Sequence, residues 1–402
     1  MKPFLSGILL LLILLPFSGQ LQACSISGSL KPGIDLIDVP VADSSLRFLS
    51  QAPIRLMLLQ RLGSIRLDLA YMICPTAGDP ALEGSSGGTS LFRIGDLDER
   101  IFPSEWKGTE SFSLLQNLDR FSIRLRLPFS SITLGRQAIY WGVSKSVSPT
   151  DFIAPFQYGT VDTEYRIGVD AIRSTFPIGM MSEMDAGWVF GKDAEFSDSG
   201  GWLRGRFYML QTDATLLTAC FRENLMLGGS LNRALGGATG WFELAVVSTA
   251  IFCGNTPDEN KETFWSASAG MDRSWFNATL YGYLEYHFNS PGTNSSEDYS
   301  VTINAPAYTA GNIYLLGRHY LSPGMTWTPM PLLNISGQAL INLTDQSAYV
   351  TLAAEYNITE NITLNAGISR GAGESPSSET GKLCSEFGSW PGKYFTSAAC
   401  YF

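Results

Sequence analysis

Histidine is nearly absent: His287 and His319 are the only two in 402 residues. Neither an HExxH nor a CxxC pair occurs, so a His-based metal site or a haem attachment is not indicated. Cofactors, metal ligands and catalytic residues are expected to be none. Charge is also scarce, at 16% of residues, and 27 basic against 37 acidic side chains leave a net −10. That balance argues against nucleic acid as a partner and leaves small solutes open. Long apolar runs are missing too. Beyond Phe17 no segment reaches the ~18 to 20 apolar residues that a spanning helix requires, although 45% of residues are hydrophobic. A helical membrane protein is excluded.

What is present points to export. Met1-Lys2, the apolar run Phe4 to Phe17 and the small-residue end at Ala23 make residues 1–23 an expected secretory signal peptide. Cleavage after Ala23 makes Cys24 the first mature residue, and Leu21-Gln-Ala-Cys24 is a loose match to a lipoprotein box, so lipidation of Cys24 is an alternative fate. The remaining chain is rich in Gly (40), Phe (23), Tyr (16) and Trp (9). This is the mix of turn formers and interfacial aromatics that a membrane β-barrel uses, although a secreted β-sandwich or β-helix shares it.

The pattern of residues favours the barrel. Ile54, Leu56 and Leu58 oppose Arg55 and Arg61; after Leu62-Gly-Ser, Ile65, Leu67, Leu69 and Tyr71 oppose Arg66 and Asp68. Phe121, Ile123, Leu125 and Leu127 alternate with Arg120, Ser122, Arg124 and Arg126. Segments near Trp202–Gln211 put Arg204 and Arg206 on the polar face, Trp241–Ala250 puts Glu243 there, and Thr279 to His287 put Glu285 there. Apolar-out, polar-in alternation at ~10 residues per segment is the mark of transmembrane barrel strands. With Ser27–Ile37 as the first strand, residues 24–402 read as one all-β, antiparallel transmembrane barrel of about 18 strands, or 16 if weak segments stay outside the wall. Both termini are expected in the periplasm, and a barrel of this size leaves an aqueous channel. The terminal Phe402, with Tyr394 eight residues earlier, matches the C-terminal signal of outer-membrane barrels.

One stretch breaks the alternation. Leu134-Gly-Arg-Gln-Ala-Ile-Tyr-Trp-Gly142 is followed by Pro149-Thr-Asp-Phe152 and Pro155-Phe156, then by Asp162-Thr-Glu-Tyr-Arg-Ile-Gly-Val-Asp-Ala-Ile-Arg173. Irregular backbone at membrane depth is tolerated only where protein buries it or water reaches it. Residues near 143–165 are therefore expected to fold into the barrel, held by some of Arg136, Asp151, Glu164, Arg166 and Asp170. Strict alternation puts Arg136 on the face of Leu134. Either a bulge at Gly135 turns it inward or it lies above the lipid near the outer rim.

These motifs resemble those of a largely uncharacterised group of porin-like outer-membrane barrels of Gram-negative bacteria. The likeness is clearest over Asn117–Arg173 and weaker at Gly317–Leu321 and Asn342–Ser347. It implies residence in the outer membrane, with the lipid bilayer and small solutes or ions as partners; association with further copies of the chain is left open. It names no substrate. The expected function is a porin or solute-selective diffusion channel, lined at its narrowest part by Arg120, Arg124, Arg126, Arg136, Asp151, Glu164, Arg166, Asp170, Arg204, Arg206 and Glu285. The alternative is a sheath or export channel for a partner or polymer, with a barrel hydrolase further behind. Six cysteines in an oxidising compartment permit disulfides, and neighbouring first and last strands make Cys24–Cys400 the expected bridge unless Cys24 is lipidated.

Overall fold

Strict alternation leaves each strand with one apolar and one polar face, and a sheet of such strands avoids exposed edges by closing on itself. That closure is seen in the computed structural model, which describes residues 22–40, 46–82, 92–97, 99–105, 107–154, 158–159, 164–251, 261–309, 313–377 and 382–402. The expected signal segment up to residue 21 lies outside them. Consecutive segments pair antiparallel from Ile65–Gly78 round to Gly392–Tyr401. The last strand then pairs with the first through Ser29–Tyr401, Leu30–Cys400 and the run Gly33–Asp38 against Gly392–Ser397.

The sheet contains 21 hydrogen-bonded segments. Lys31-Pro32 and Ala52-Pro53 each interrupt a single wall strand, because proline has no N–H to give the ladder. The short Arg100–Phe102 is a loop segment beside Phe112–Arg126. The result is a closed barrel of 18 strands. No helix among the described residues is long and apolar enough to cross a membrane.

Side chains sort as the alternation requires. Leu203, Leu216, Leu227, Met271 and Leu284 are exposed on the outside, whereas Asp185, Glu243, Ser268 and Glu285 are buried within. The two described ends of the barrel, Gln22 and Phe402, lie at the short-turn end. Left-handed backbone closes several of these turns, at Gly63 (φ +59°), at Leu210 and Gln211 (φ +52° and +60°) and at Gly236 (φ +58°). The Leu210-Gln211 turn sits just before the Thr212-Asp213 pair, which the ladder takes into the next strand. At the long-loop end one connection is tight as well: Arg222 and Glu223 alone join Phe221 to Asn224.

One irregularity shapes the interior. Ala70 pairs with Arg120 but Tyr71 pairs with Leu118, so Asp119 is an inserted residue. A bulge of this kind puts two neighbours on the same side of the strand. Asp119 and Arg120 thus lie together, Asp119 Oδ2 accepting from Arg55 Nη2 at 2.5 Å and facing Arg120 Nη1 at 2.8 Å. Asp119 Oδ1 also accepts the Gly168 N–H at 2.8 Å.

The register corrects one expectation. Cys400 stands opposite Leu30, and Phe402 bonds Gly28, so Cys24 extends past the chain's end. Six residues of strand separate Cys24 from the position opposite Cys400, ~20 Å at the rise of an extended chain, whereas a disulfide needs ~5.5 to 6 Å between Cα atoms. Cys24, Cys74, Cys220, Cys384 and Cys400 are all free thiols; Cys253 lies outside the described residues.

Asp119 is the partner of a buried arginine, and removing one member of such a pair leaves a charge uncompensated. Asp119→Ala should destabilise the barrel by roughly 3–5 kcal/mol, read as an earlier urea midpoint of the folded band on unheated gels. An unchanged midpoint would show that Arg55 finds water there.

Candidate functional site

After Gln137 the chain leaves the wall, and its next wall strand begins only at Val169. Backbone that leaves a ladder must find other partners for its N–H groups. Here two wall carboxylates provide them. Glu243, on strand Ala238–Ser248, accepts on Oε2 from the Val143 N–H (2.9 Å), the Ser144 N–H (3.0 Å) and the Ser144 hydroxyl (2.9 Å). Its Oε1 accepts from the Ser148 hydroxyl (2.6 Å), the Thr150 N–H (2.9 Å) and the Thr150 hydroxyl (2.7 Å).

Glu285, on the strand Leu280–Asn289, takes the residues between. The Lys145 N–H donates to Oε2 at 2.7 Å, and those of Ser146 and Val147 donate to Oε1, each at 3.1 Å. Trp241 Nε1 completes Oε2 at 2.8 Å. Successive N–H groups converging on an anion form a backbone nest, and bonds to an ionised acceptor are about twice as strong as neutral ones. Both carboxylates are almost fully buried.

Apolar contacts fix the loop's flanks. Trp141 packs on Trp202 with ring centroids 5.3 Å apart, and Phe152 stacks on Phe221 at 4.7 Å. Asp185 accepts from Trp141 Nε1 (3.4 Å), Trp202 Nε1 (3.1 Å) and Arg173 Nη2 (2.5 Å). On the return limb Arg166 bonds Asp151 and the Ala154 carbonyl. Burial pushes the Asp151 carboxyl up to about 6, with the Arg166 guanidinium pulling against it. Glu164 reaches the closing seam, where Lys31 Nζ lies 2.5 Å away and the Tyr401 hydroxyl donates at 2.8 Å. Pro155, Phe156 and Asp162 fall outside the described residues.

Arg136 and Asp170 pair across the wall beside the return of the loop at Gly168. The register runs unbroken across Gly135 on both sides, so no residue is inserted there. Arg136 Nε donates to Asp170 Oδ1 at 2.8 Å, and Nη1 and Nη2 bond Asp96 and the Gly95 carbonyl at 2.8 and 2.7 Å. The segment 92–97 thus covers this arginine, which fits the rim alternative. Arg120, Arg204 and Arg206 are also paired: with Asp119, with Glu183 and Asp185, and with Asp213.

Arg124 and Arg126 differ. Among the described residues neither has a carboxylate partner. Arg124 Nε donates to Thr133 Oγ1 at 3.1 Å, and the charges around it are Arg66, Arg173, Arg126 and one acid, Asp68. Both side chains are exposed. A cavity of about 670 Å³ borders the loop, its lining including Arg120, Lys145, Asp151, Tyr158, Arg166 and His287.

Ser268 and His287 Nδ1 are 2.8 Å apart, but the Ser268 hydroxyl donates to the Val147 carbonyl at 2.7 Å. The imidazole is therefore the donor in this pair and cannot draw the serine proton. Sequence reasoning had placed Glu243 and Glu285 on the inward face without assigning them the loop. The available signal was the run of small hydroxyl residues Ser144, Ser146, Ser148 and Thr150 in a segment with no strand pattern.

No family model matches the chain, and no curated protein matches it in sequence. Solved structures do match. OpdK of Pseudomonas aeruginosa, solved with vanillate, aligns over 96% of this chain and 100% of its own at 10% identity, with a TM-score of 0.56. A BenF-like porin of Pseudomonas fluorescens Pf-5 aligns over 96% and 99% at 10% identity and 0.56. OccK2 (OpdF) of Pseudomonas aeruginosa aligns over 95% and 98% at 12% identity and 0.56. The chain shares their fold over nearly its whole length.

Glu243→Ala removes the acceptor of six donors and leaves Glu285 as the one wall carboxylate that holds residues 143–150. Its single-channel conductance should rise and become noisier, while the folded barrel still shifts on unheated gels. A trace identical to the parent protein's would show that the loop is held without Glu243.

Proposed function

We propose that this chain is an outer-membrane porin, a solute-selective diffusion channel whose lumen is narrowed by residues 138–168. The observation that carries the reading is the closed barrel with inward Glu243 and Glu285 occupied by loop backbone, which sets a fixed constriction rather than a mobile flap. The barrel fold shared with OpdK and the BenF-like porin supports the same reading, as does the apolar outer surface, which suits lipid. Catalysis is not needed by it. A sheath or export channel would require a wider passage than a loop so firmly tied to the wall leaves.

Solute preference follows from which charges are left over. Most inward arginines are neutralised by neighbouring acids, so the net charge of −10 says little about permeation. Arg124 and Arg126, without carboxylate partners, give the wall a local positive field, and rings or ladders of like charge tune selectivity in pores. Small anions are the class this field draws, and an aromatic carboxylate such as the vanillate found with OpdK is one candidate.

Two recordings in planar bilayers test this. Deleting Ser146–Gly159 should raise single-channel conductance; an unchanged value from an intact barrel would remove the loop from the constriction. Neutralising Arg124 and Arg126 together should move the reversal potential in a salt gradient toward cation preference. No movement would mean that these arginines serve structure only.

A further inference from the structure

Near the short-turn end, the apolar outer wall carries two arginines. Arg233 lies on the strand Asn224–Leu235 and Arg273 on Thr263–Trp275. Residues directly opposed in a ladder share one face of the sheet, and the register carries Arg233 through Gly240 and Met271 to Leu284. It carries Arg273 through Ala238 to Leu235 on one side and through Gly282 to Met325 on the other. Met271, Leu284, Leu235 and Met325 are exposed on the outer surface, so both arginines project there, and both are themselves exposed.

A lipid-facing arginine is costly at the bilayer midplane and nearly free at its edges. Both of these lie at an edge. Arg233 is two residues from Leu235, the last before the Gly236-Gly237 turn, and Arg273 is two residues from Trp275, the last before Phe276-Asn277. Two residues of strand are ~7 Å, so the two side chains share a depth just inside the short-turn rim. One row nearer that rim, Trp275 and Trp327 stand exposed on the same face, opposed through Leu280. Outward tryptophans of this kind mark the headgroup level of a bilayer.

The protein itself does not neutralise either charge. Among the described residues neither side chain has an ion-pair or hydrogen-bond partner. The acids of the strands from Thr212–Phe221 to His319–Met330 are Asp213, Glu243, Asp272 and Glu285. Each points inward: Asp213 to Arg206, Asp272 to Tyr281, and Glu243 and Glu285 to the loop. Between the arginines the outward residues are Ala238 and Gly240, which leave the space over the sheet open. Two strand spacings and one pleat put the arginine Cα atoms ~12 Å apart, a gap that two extended side chains close from either side. Leu235 and Trp275 lie against Gly240 and Gly282 and border the pair with apolar surface.

We propose that Arg233 and Arg273 form a site for the phosphate of an anionic glycerophospholipid in the leaflet at the short-turn end, the periplasmic one in bacterial barrels. Guanidinium forks match phosphate oxygens bidentately, and the acyl chains continue along Leu231, Met271 and Leu284. Charge complementarity selects this occupant, because a bilayer supplies phosphate at the depth of an interfacial tryptophan row and tails for the apolar wall beyond it. A second copy of the chain lacks the counter-charge: among the described residues no wall acid at the short-turn end lies on the outer face.

Native mass spectrometry of the full chain in a neutral detergent tests the site independently of any conductance. Offered phosphatidylglycerol and phosphatidylcholine with the same acyl chains, the parent protein should retain the former roughly thirtyfold more strongly, each arginine contributing about fivefold. Arg233→Gln combined with Arg273→Gln should retain the two lipids equally. Each single substitution should give up about fivefold and serves if the double variant fails to fold, which migration on unheated gels checks. Equal retention by the parent, or an unchanged preference in the variants, overturns the site. Full competition by glycerol 1-phosphate at the concentration of the lipid also overturns it, by making the ligand a soluble phosphate. A parent dimer that the double variant loses, with no lipid preference in either, overturns it by giving the arginines to a contact between copies.

Discussion

Everything at the centre of this barrel depends on two glutamates accepting hydrogen bonds from a stretch of backbone that has left the sheet. A loop inside a closed barrel has no ladder partner, and unpaired N–H groups are costly to bury. Glu243 and Glu285 solve this for residues 143–150 with side-chain oxygens carried by two wall strands, so the loop inherits the rigidity of the wall. The same bonds neutralise the carboxylates' need for partners without a cation. Lys145 remains beside Asp272, 3.7 Å from its Oδ2, and over the Trp241 ring.

The charges of the interior divide by that logic into two populations. Asp119, Asp185 and Asp170 each bind one or more arginines: at the inserted residue of the wall, beside Trp141 at the flank of the loop, and under residues 92–97. Such pairs hold geometry and contribute little field at a distance. Arg124 and Arg126 lie on a regular stretch with no acid opposite, Thr133 and Ser131 being their register partners on one side. An ion in the lumen responds to these far more than to the acidic total of the chain, most of which is paired or screened.

The closing seam ties the loop to the fold as a whole. Glu164 contacts Lys31 of the first strand and Tyr401 of the last, so the limb of the loop that returns to the wall bridges the two strands whose meeting completes the barrel. Pro32 interrupts the ladder at this level, and the Lys31–Glu164–Tyr401 contact spans the interruption from the inside. The outer end uses a comparable device in Glu386, again a carboxylate collecting donors from separate connections. In both places acids, rather than disulfides, tie distant segments together, consistent with five free thiols.

The sequence by itself determined the wall. A two-residue period is a local property, and it placed nearly every strand, the inward face of Arg120, Glu243 and Glu285, and a break in the wall near 143–165, whereas the strand itself ends earlier, at Gln137. It also left open whether Arg136 turns inward or lies at the rim, because parity cannot tell whether a neighbouring loop will cover a rim residue. Only the tertiary structure decided that segment 92–97 does so. Register decided against the Cys24–Cys400 bridge: adjacency of first and last strands is a topological fact, but their offset depends on where Phe402 ends along the first strand. The partners of the loop were likewise invisible, since Ser144 and Glu243 are 99 residues apart and a hydrogen bond between them follows from closure of the barrel, which no local pattern encodes.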